Sequence, residues 1–142
     1  MKARNTIIVV LLTLLTSSAV GADGEATLYE RLGSAEGIET IVDGLMERHL
    51  KNPTVSKYFR HLDQDWIRNS VIAFLAVGTG GPSNYVGADM VTAHAHLKLT
   101  DEEFDSAVAD VVASVKASGA EQDAVNEVEA ILLSFRSQVV TR

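Results

Sequence analysis

Apolar residues recur at spacings of three and four along four separate stretches of the chain, a period that fits helices and no strand. Ile38, Ile41, Val42, Leu45, Met46, His49 and Leu50 form the first stripe. Trp66, Ile67, Val71, Phe74 and Leu75 form the inner side of the second. Phe104, Val108, Val111, Val112 and Val115 form the third, and Val125, Val128, Ile131, Leu132, Phe135 and Val139 the fourth. No stretch alternates apolar and polar residues as a half-buried strand does, and no segment repeats. The chain reads as all-α, with four substantial helices.

The ends of these helices are marked by residues whose chemistry stops or starts a helix. Thr27 caps a short helix, Leu28 to Arg31, that stops at Leu32-Gly33. Ser34 is the expected cap of the next helix, and Asn52-Pro53 ends it and opens a tight turn carrying Tyr58 and Phe59. Asp63 caps the second long helix, which dissolves at Gly78. About ten residues without periodicity follow, rich in glycine, and a loop of that length in a small domain usually has a task or is a linker. Asp89 can cap a short helix after it. Thr100 to Glu103 is a capping box opening the third long helix, and Gly119 stops that helix.

Two features of composition limit the chemistry. The chain has no cysteine, so disulfides, thiolate metal ligands and thioether-linked haem are excluded, and any metal must rest on histidine, carboxylate or methionine. The formal charge is −7 with no basic cluster, which argues against nucleic acid or an anionic membrane as partner.

Within that limit the stretch Met90 to Leu97 stands out. His94 lies among small residues, Ala93 and Ala95, with Met90 and Leu97 on either side, and so presents an imidazole from an apolar wall. Neutral imidazole ligates haem iron well, and an apolar wall suits a porphyrin. A satisfied core or surface histidine is the plainer reading of the same residue.

The order and spacing of several motifs extend this reading. Leu28-Tyr29-Glu30-Arg31-Leu32-Gly33, Asn52-Pro53, Tyr58-Phe59, Gly80-Gly81-Pro82 with Tyr85 and Gly87, and Met90-x-x-Ala93-His94-x-x-Leu97 with Phe104 beyond resemble the group I truncated haemoglobins. The resemblance runs from Leu28 to about Phe135. It implies a two-over-two helical sandwich holding haem b, with His94 as the proximal ligand. His96, about 200° further round a helix, faces elsewhere. The resemblance further implies that Phe59 packs on the porphyrin and that Leu97, Met90, Ala107, Val111 and Leu132 line the proximal and rear walls. The family's first Gly-Gly pair reads Gly33-Ser34 here, and the capping propensity of Ser34 predicts little structural consequence.

The distal side departs from the family. Where relatives place a tyrosine and a polar partner, this chain has Met46 and Val71, with Ile67 and Leu75 beside them, and all four are apolar. A hydrogen bond to a bound polarised gas is worth about 1.5–3 kcal/mol, roughly ten- to a hundredfold in affinity. The implied function is reversible binding of O2, NO or CO. The alternative is redox chemistry, either NO dioxygenation or electron transfer through a haem whose sixth position is taken by His61, His49 or Met46, with a reductase as partner. A helical module that has lost haem is a third reading, which His94 in its motif opposes.

The first residues read as an export signal: Lys2 and Arg4, an apolar run from Ile7 to Leu15, then small residues up to Ala22. The run falls short of the roughly 20 residues needed to span a bilayer, and an uncleaved anchor is the alternative. Removal of residues 1–22 leaves a domain of residues 23–142 with ten basic and 19 acidic side chains, a charge of −9, exported to a periplasmic or extracellular space and free of the membrane. Mass spectrometry of exported protein should find a start at Asp23, or at Val20 if cleavage follows Ala19; material found only in the cytosol with Met1 or Lys2 at its start would refute export.

Overall fold

A computed structural model describes residues 24–82 and 84–142, so the expected export signal lies outside the described residues. Among them are seven α-helical segments: α1 (Leu28–Arg31), α2 (Ser34–Lys51), α3 (Gln64–Gly78), α4 (Met90–His94), α5 (Asp101–Ala117), α6 (Gln122–Ser134) and α7 (Arg136–Val139). Two 3-10 turns, Ser56–Tyr58 and Ala95–Leu97, follow α2 and α4. The expected all-α architecture is present, and the only β pairing among the described residues is a single parallel bridge between Leu99 and Val140.

Most of the expected caps form. Thr27 and Glu30 make a reciprocal capping box, as do Thr100 and Glu103. Asp63 accepts from the Trp66 N–H at 2.9 Å and Asp89 from the Thr92 N–H at 2.8 Å, each satisfying a donor the helix leaves free. The exception is α2. Its cap position is Gly33, at φ +93°, and Ser34 is the first helical residue, itself left-handed at φ +57°. Two left-handed residues in succession turn the chain so sharply that a Cβ on Gly37 would lie 1.8 Å from the Leu32 carbonyl oxygen. The corner therefore keeps the geometry of a Gly-Gly pair with a serine in it, which costs backbone strain.

The stripes predict the packing. α2 lies against α3 and α5, and α5 against α6, so the pairs α2–α3 and α5–α6 stack through α2 and α5. Ile38, Ile41, Val42, Val115 and Val125 are the largest fully buried side chains in this contact, and burial of each is worth about 1.5–3 kcal/mol. Trp66 departs from its expected inner position and is 62% exposed. It is the second residue past Gln64, on the first turn of α3, and the helix turns Ile67 inward instead.

The apolar interior is divided. One cluster joins α1, α2, α3, α5 and α6, with Ile67, Val71 and Phe74 of α3 at its half-buried margin. A second, built on Leu99, Phe104, Val108 and Val139, carries Met90 and Leu97 at its own margin. Val112 and Leu132 border both. The principal neighbour of α3 is α2, and that of α4 is α7. The C-terminal residues complete the second cluster, where the N–H groups of Thr141 and Arg142 donate to the Leu99 carbonyl at 3.0 and 3.2 Å.

Two substitutions at the α1–α2 corner test its geometry. Ser34→Gly should raise the unfolding free energy by about 0.5–1 kcal/mol, the relief of left-handed strain less the added entropy of the unfolded chain. Gly37→Ala should lower it by about 3 kcal/mol or more, because the clash is with backbone. Urea denaturation of both variants reads the two signs, and a stabilised Gly37→Ala protein would refute the corner.

Candidate functional site

The divided interior leaves apolar side chains half-buried on both sides of one cleft. Ile67, Val71 and Phe74 stand on α3, and Met90, Ala93, His94 and Leu97 on α4 and the turn after it. The irregular segment from Thr79 to Asp89 joins the two walls. Its Gly87 is held against the Tyr85 ring, where a Cβ would come within 2.3 Å of the aromatic carbons, so glycine is required for the approach. The Tyr85 hydroxyl donates to the Ala88 carbonyl at 2.9 Å and the ring meets Phe74 edge-on at 5.7 Å.

His94 ends α4, half-buried, with Nδ1 2.8 Å from the Met90 carbonyl oxygen. A carbonyl only accepts, so Nδ1 carries the proton and Nε2 keeps its lone pair. The same bond fixes the plane of the ring. This is the arrangement by which an imidazole is prepared for a metal through its second nitrogen. His96 is exposed on the following 3-10 turn. A flat apolar ring with a metal at its centre fits such a cleft, having apolar walls on two helices and one oriented imidazole between them.

A cavity of about 250 Å³ is lined by Phe74, Leu75, Val77, Gly78, Thr79, Tyr85, Val128, Ile131, Leu132 and Phe135. The Thr79 hydroxyl donates away from it, to the Leu75 carbonyl at 2.7 Å. Neither hydroxyl of the lining is therefore a free donor.

The structure groups the expected site residues unevenly. Met46, Leu75 and Val111 are buried together in the first cluster, with Ile67, Val71 and Leu132 packed on it. Val111, expected on the proximal or rear wall, belongs with α2 and α3. Met90, Leu97 and Leu132 meet in the second cluster. Ala107 is half-buried on α5 and part of neither cluster. Phe59 is half-buried just past the Ser56–Tyr58 turn, stacked on His49 with centroids 4.6 Å apart and planes tilted by 38°.

The other two histidines are engaged. His61 is exposed, its Nε2 accepting from Arg60 Nε at 3.1 Å. His49 is buried, with Nδ1 2.8 Å from Asp110 Oδ2. Donation to that carboxylate puts the proton of the neutral ring on Nδ1, so Nε2 has no hydrogen to give. Burial pushes the pKa of His49 below the ordinary imidazole value, and the bond to Asp110 only partly opposes this. Nearby, Asn52 Nδ2 donates to the same Asp110 oxygen and to Ser106 Oγ, both at 2.9 Å. Lys57 Nζ meets Glu103 Oε1 at 2.5 Å; with the Thr100 N–H it holds the Glu103 carboxyl down to about 2. The long-range partners of Asp110, Asn52 and Glu103 carry no signal in helical periodicity, since each pairs with a residue more than forty positions away.

The bacterial-like globin family matches residues 27–140. A group 1 truncated hemoglobin of Synechocystis is 34% identical over 110 residues, covering 75% of this chain and 89% of the relative. The solved truncated hemoglobin of Tetrahymena pyriformis in its Fe(III) form is similar with a TM-score of 0.79 at 26% identity, covering 82% of this chain and 100% of that one. A 2/2 hemoglobin of a Synechococcus species, solved in the cyanomet state with covalently attached heme, gives 0.77 at 28% identity, with coverage of 82% and 100%.

The two perturbed groups lose their contributions in different pH windows. His49 binds a proton less readily folded than unfolded, so its contribution is full above about pH 6.5 and falls below it. The loss is at most about 1.4 kcal/mol per pH unit down to its folded pKa. Glu103 is also depressed, and its contribution disappears only as pH falls from about 4.5 towards about 2. Urea unfolding at pH 7 and pH 5 should show a larger loss in the unaltered protein than in His49→Gln; equal losses would refute the assignment.

Proposed function

The chain belongs to the bacterial-like globins as a group 1 truncated haemoglobin, and from that premise we propose that it binds a small diatomic gas, O2, NO or CO, at a haem b whose iron is held by His94. It is a haem-binding globin. The observation that carries the finer reading is the bond from His94 Nδ1 to the Met90 carbonyl, which leaves Nε2 as a lone pair on the wall of an apolar cleft. Haem supplies an iron centre that takes the gas reversibly. The chain supplies the rest: Met90 and Leu97 beside His94, Ile67 and Val71 across the cleft, and Phe59 at its edge. With no cysteine for thioether links, attachment of the haem b type is supported.

The distal wall gives the site its character. Met46, Ile67, Val71 and Leu75 carry no N–H or O–H, and His49, in the tautomer Asp110 imposes, carries none on its free nitrogen. A gas held there lacks the hydrogen bond worth about 1.5–3 kcal/mol. Release of O2 is accordingly fast, and CO, less polarised when bound, loses less affinity. This favours simple gas binding over oxygen-dependent chemistry.

Absorption spectra of purified protein and its variants test the reading. His94→Ala should abolish the haem Soret band, whereas His96→Ala should keep it, and stopped-flow mixing should show O2 leaving the unaltered protein at least about tenfold faster than from a relative with a distal donor. Loss of the band in the His96 variant alone would show that the wrong imidazole has been assigned. Slow O2 release would show that a donor enters the pocket.

A further inference from the structure

His49 occupies a stripe position where an aliphatic residue would satisfy packing at no polar cost. A buried imidazole paired with a carboxylate is, by itself, a poor way to gain stability, since a hydrophobic pair of equal volume is often as good or better. The pair therefore calls for another role, and the contacts of the ring point to one. One edge of the imidazole is tied to Asp110, and one face lies against Phe59. An imidazole turns readily about its outer torsion, so the bond to Asp110 fixes the plane that the ring offers to Phe59.

The segment carrying Phe59 needs such support. It is a short 3-10 turn after Pro53, and its hold on α5 is through side chains. Asn52 ties its entry to Ser106 and Asp110, and accepts the Thr54 N–H at 3.0 Å. Lys57 ties its middle to Glu103. Neither contact reaches the Phe59 ring itself; the contact with His49 does.

We propose that His49 is a positioning residue of the haem site, which, held by Asp110, backs Phe59 and sets the ring that faces the porphyrin. The proposal rests on the reading of Phe59 as a porphyrin-facing residue. His49 acts through Phe59 and touches neither haem nor gas. A carboxylate on α5 thereby determines how firmly the far edge of the cleft grips its cofactor.

The experiment measures transfer of haem from the ferric holoprotein to an excess of a high-affinity haem acceptor, alongside urea unfolding of the apoprotein. His49→Gln keeps an N–H for Asp110 and removes the ring. It should lose haem about tenfold faster or more, with apoprotein stability at pH 7 little changed. In a Phe59→Leu background the same substitution should alter the rate by less than about twofold, the non-additivity expected of residues acting as one. His49→Phe, which restores a ring, should recover at least about half of the lost retention on a logarithmic scale. Haem loss that stays near the unaltered rate in His49→Gln, an equal acceleration in the Phe59→Leu background, or a His49→Phe protein as leaky as His49→Gln each overturns the proposal. Unaltered protein that holds no haem defeats instead the functional reading on which it rests.

Discussion

A small helical domain that must hold a large flat cofactor faces opposed demands on its apolar surface. Enough has to be buried to fold the chain, yet two helices must keep apolar faces unmatched for the guest. Here the conflict is met by dividing the interior. Val42, Ile38, Ile41, Val115 and Val125 close a tight cluster around α2, α5 and α6, and Leu99, Phe104, Val108 and Val139 close a smaller one under α4. The margins of the two, Ile67, Val71 and Phe74 on one side and Met90 and Leu97 on the other, stay half-buried. Native packing is dense, so such margins are costly in the empty protein. A haem seated against them would add apolar contact that the chain cannot supply alone, and its binding would couple to stability.

The histidines show how environment divides one chemistry into separate roles. His94 and His49 are both donors through Nδ1, one to a neutral carbonyl and one to a carboxylate. The first leaves a lone pair on the cleft. The second sits behind an aromatic ring, deep enough that burial outweighs its carboxylate partner and keeps it neutral. His61 and His96 lie exposed. Among the described residues no three His, Cys, Asp or Glu side chains gather as a metal site.

Much of this could be read from the residues. The stripes located α2, α3, α5 and α6, and Thr27, Asp63, Asp89 and Thr100 marked the starts of α1, α3, α4 and α5, because capping and periodicity are local and survive in sequence. The motif around His94 located the short helix, though not the bond to Met90 that orients the ring. Ser34 misled because its capping propensity concealed a backbone conformation set by the corner with Gly37. Trp66 misled because a hydrophobic residue in the first turn of a helix need not share its buried face. The contacts of His49, Asp110 and Asn52 were illegible for a different reason. They join α2 to α5 across more than fifty residues, and only the crossing of those helices brings them together.

The bridge between Leu99 and Val140 bears on the order in which the molecule assembles. The segment after His94 gains its partner from residues roughly forty positions further on, past both α5 and α6. Closing a loop of that length costs chain entropy before any contact repays it. The helices in between rest on hydrogen bonds local in sequence, whereas the Leu99–Val140 bridge joins residues on either side of them. The segment that follows His94 thus depends on contacts made across both intervening helices.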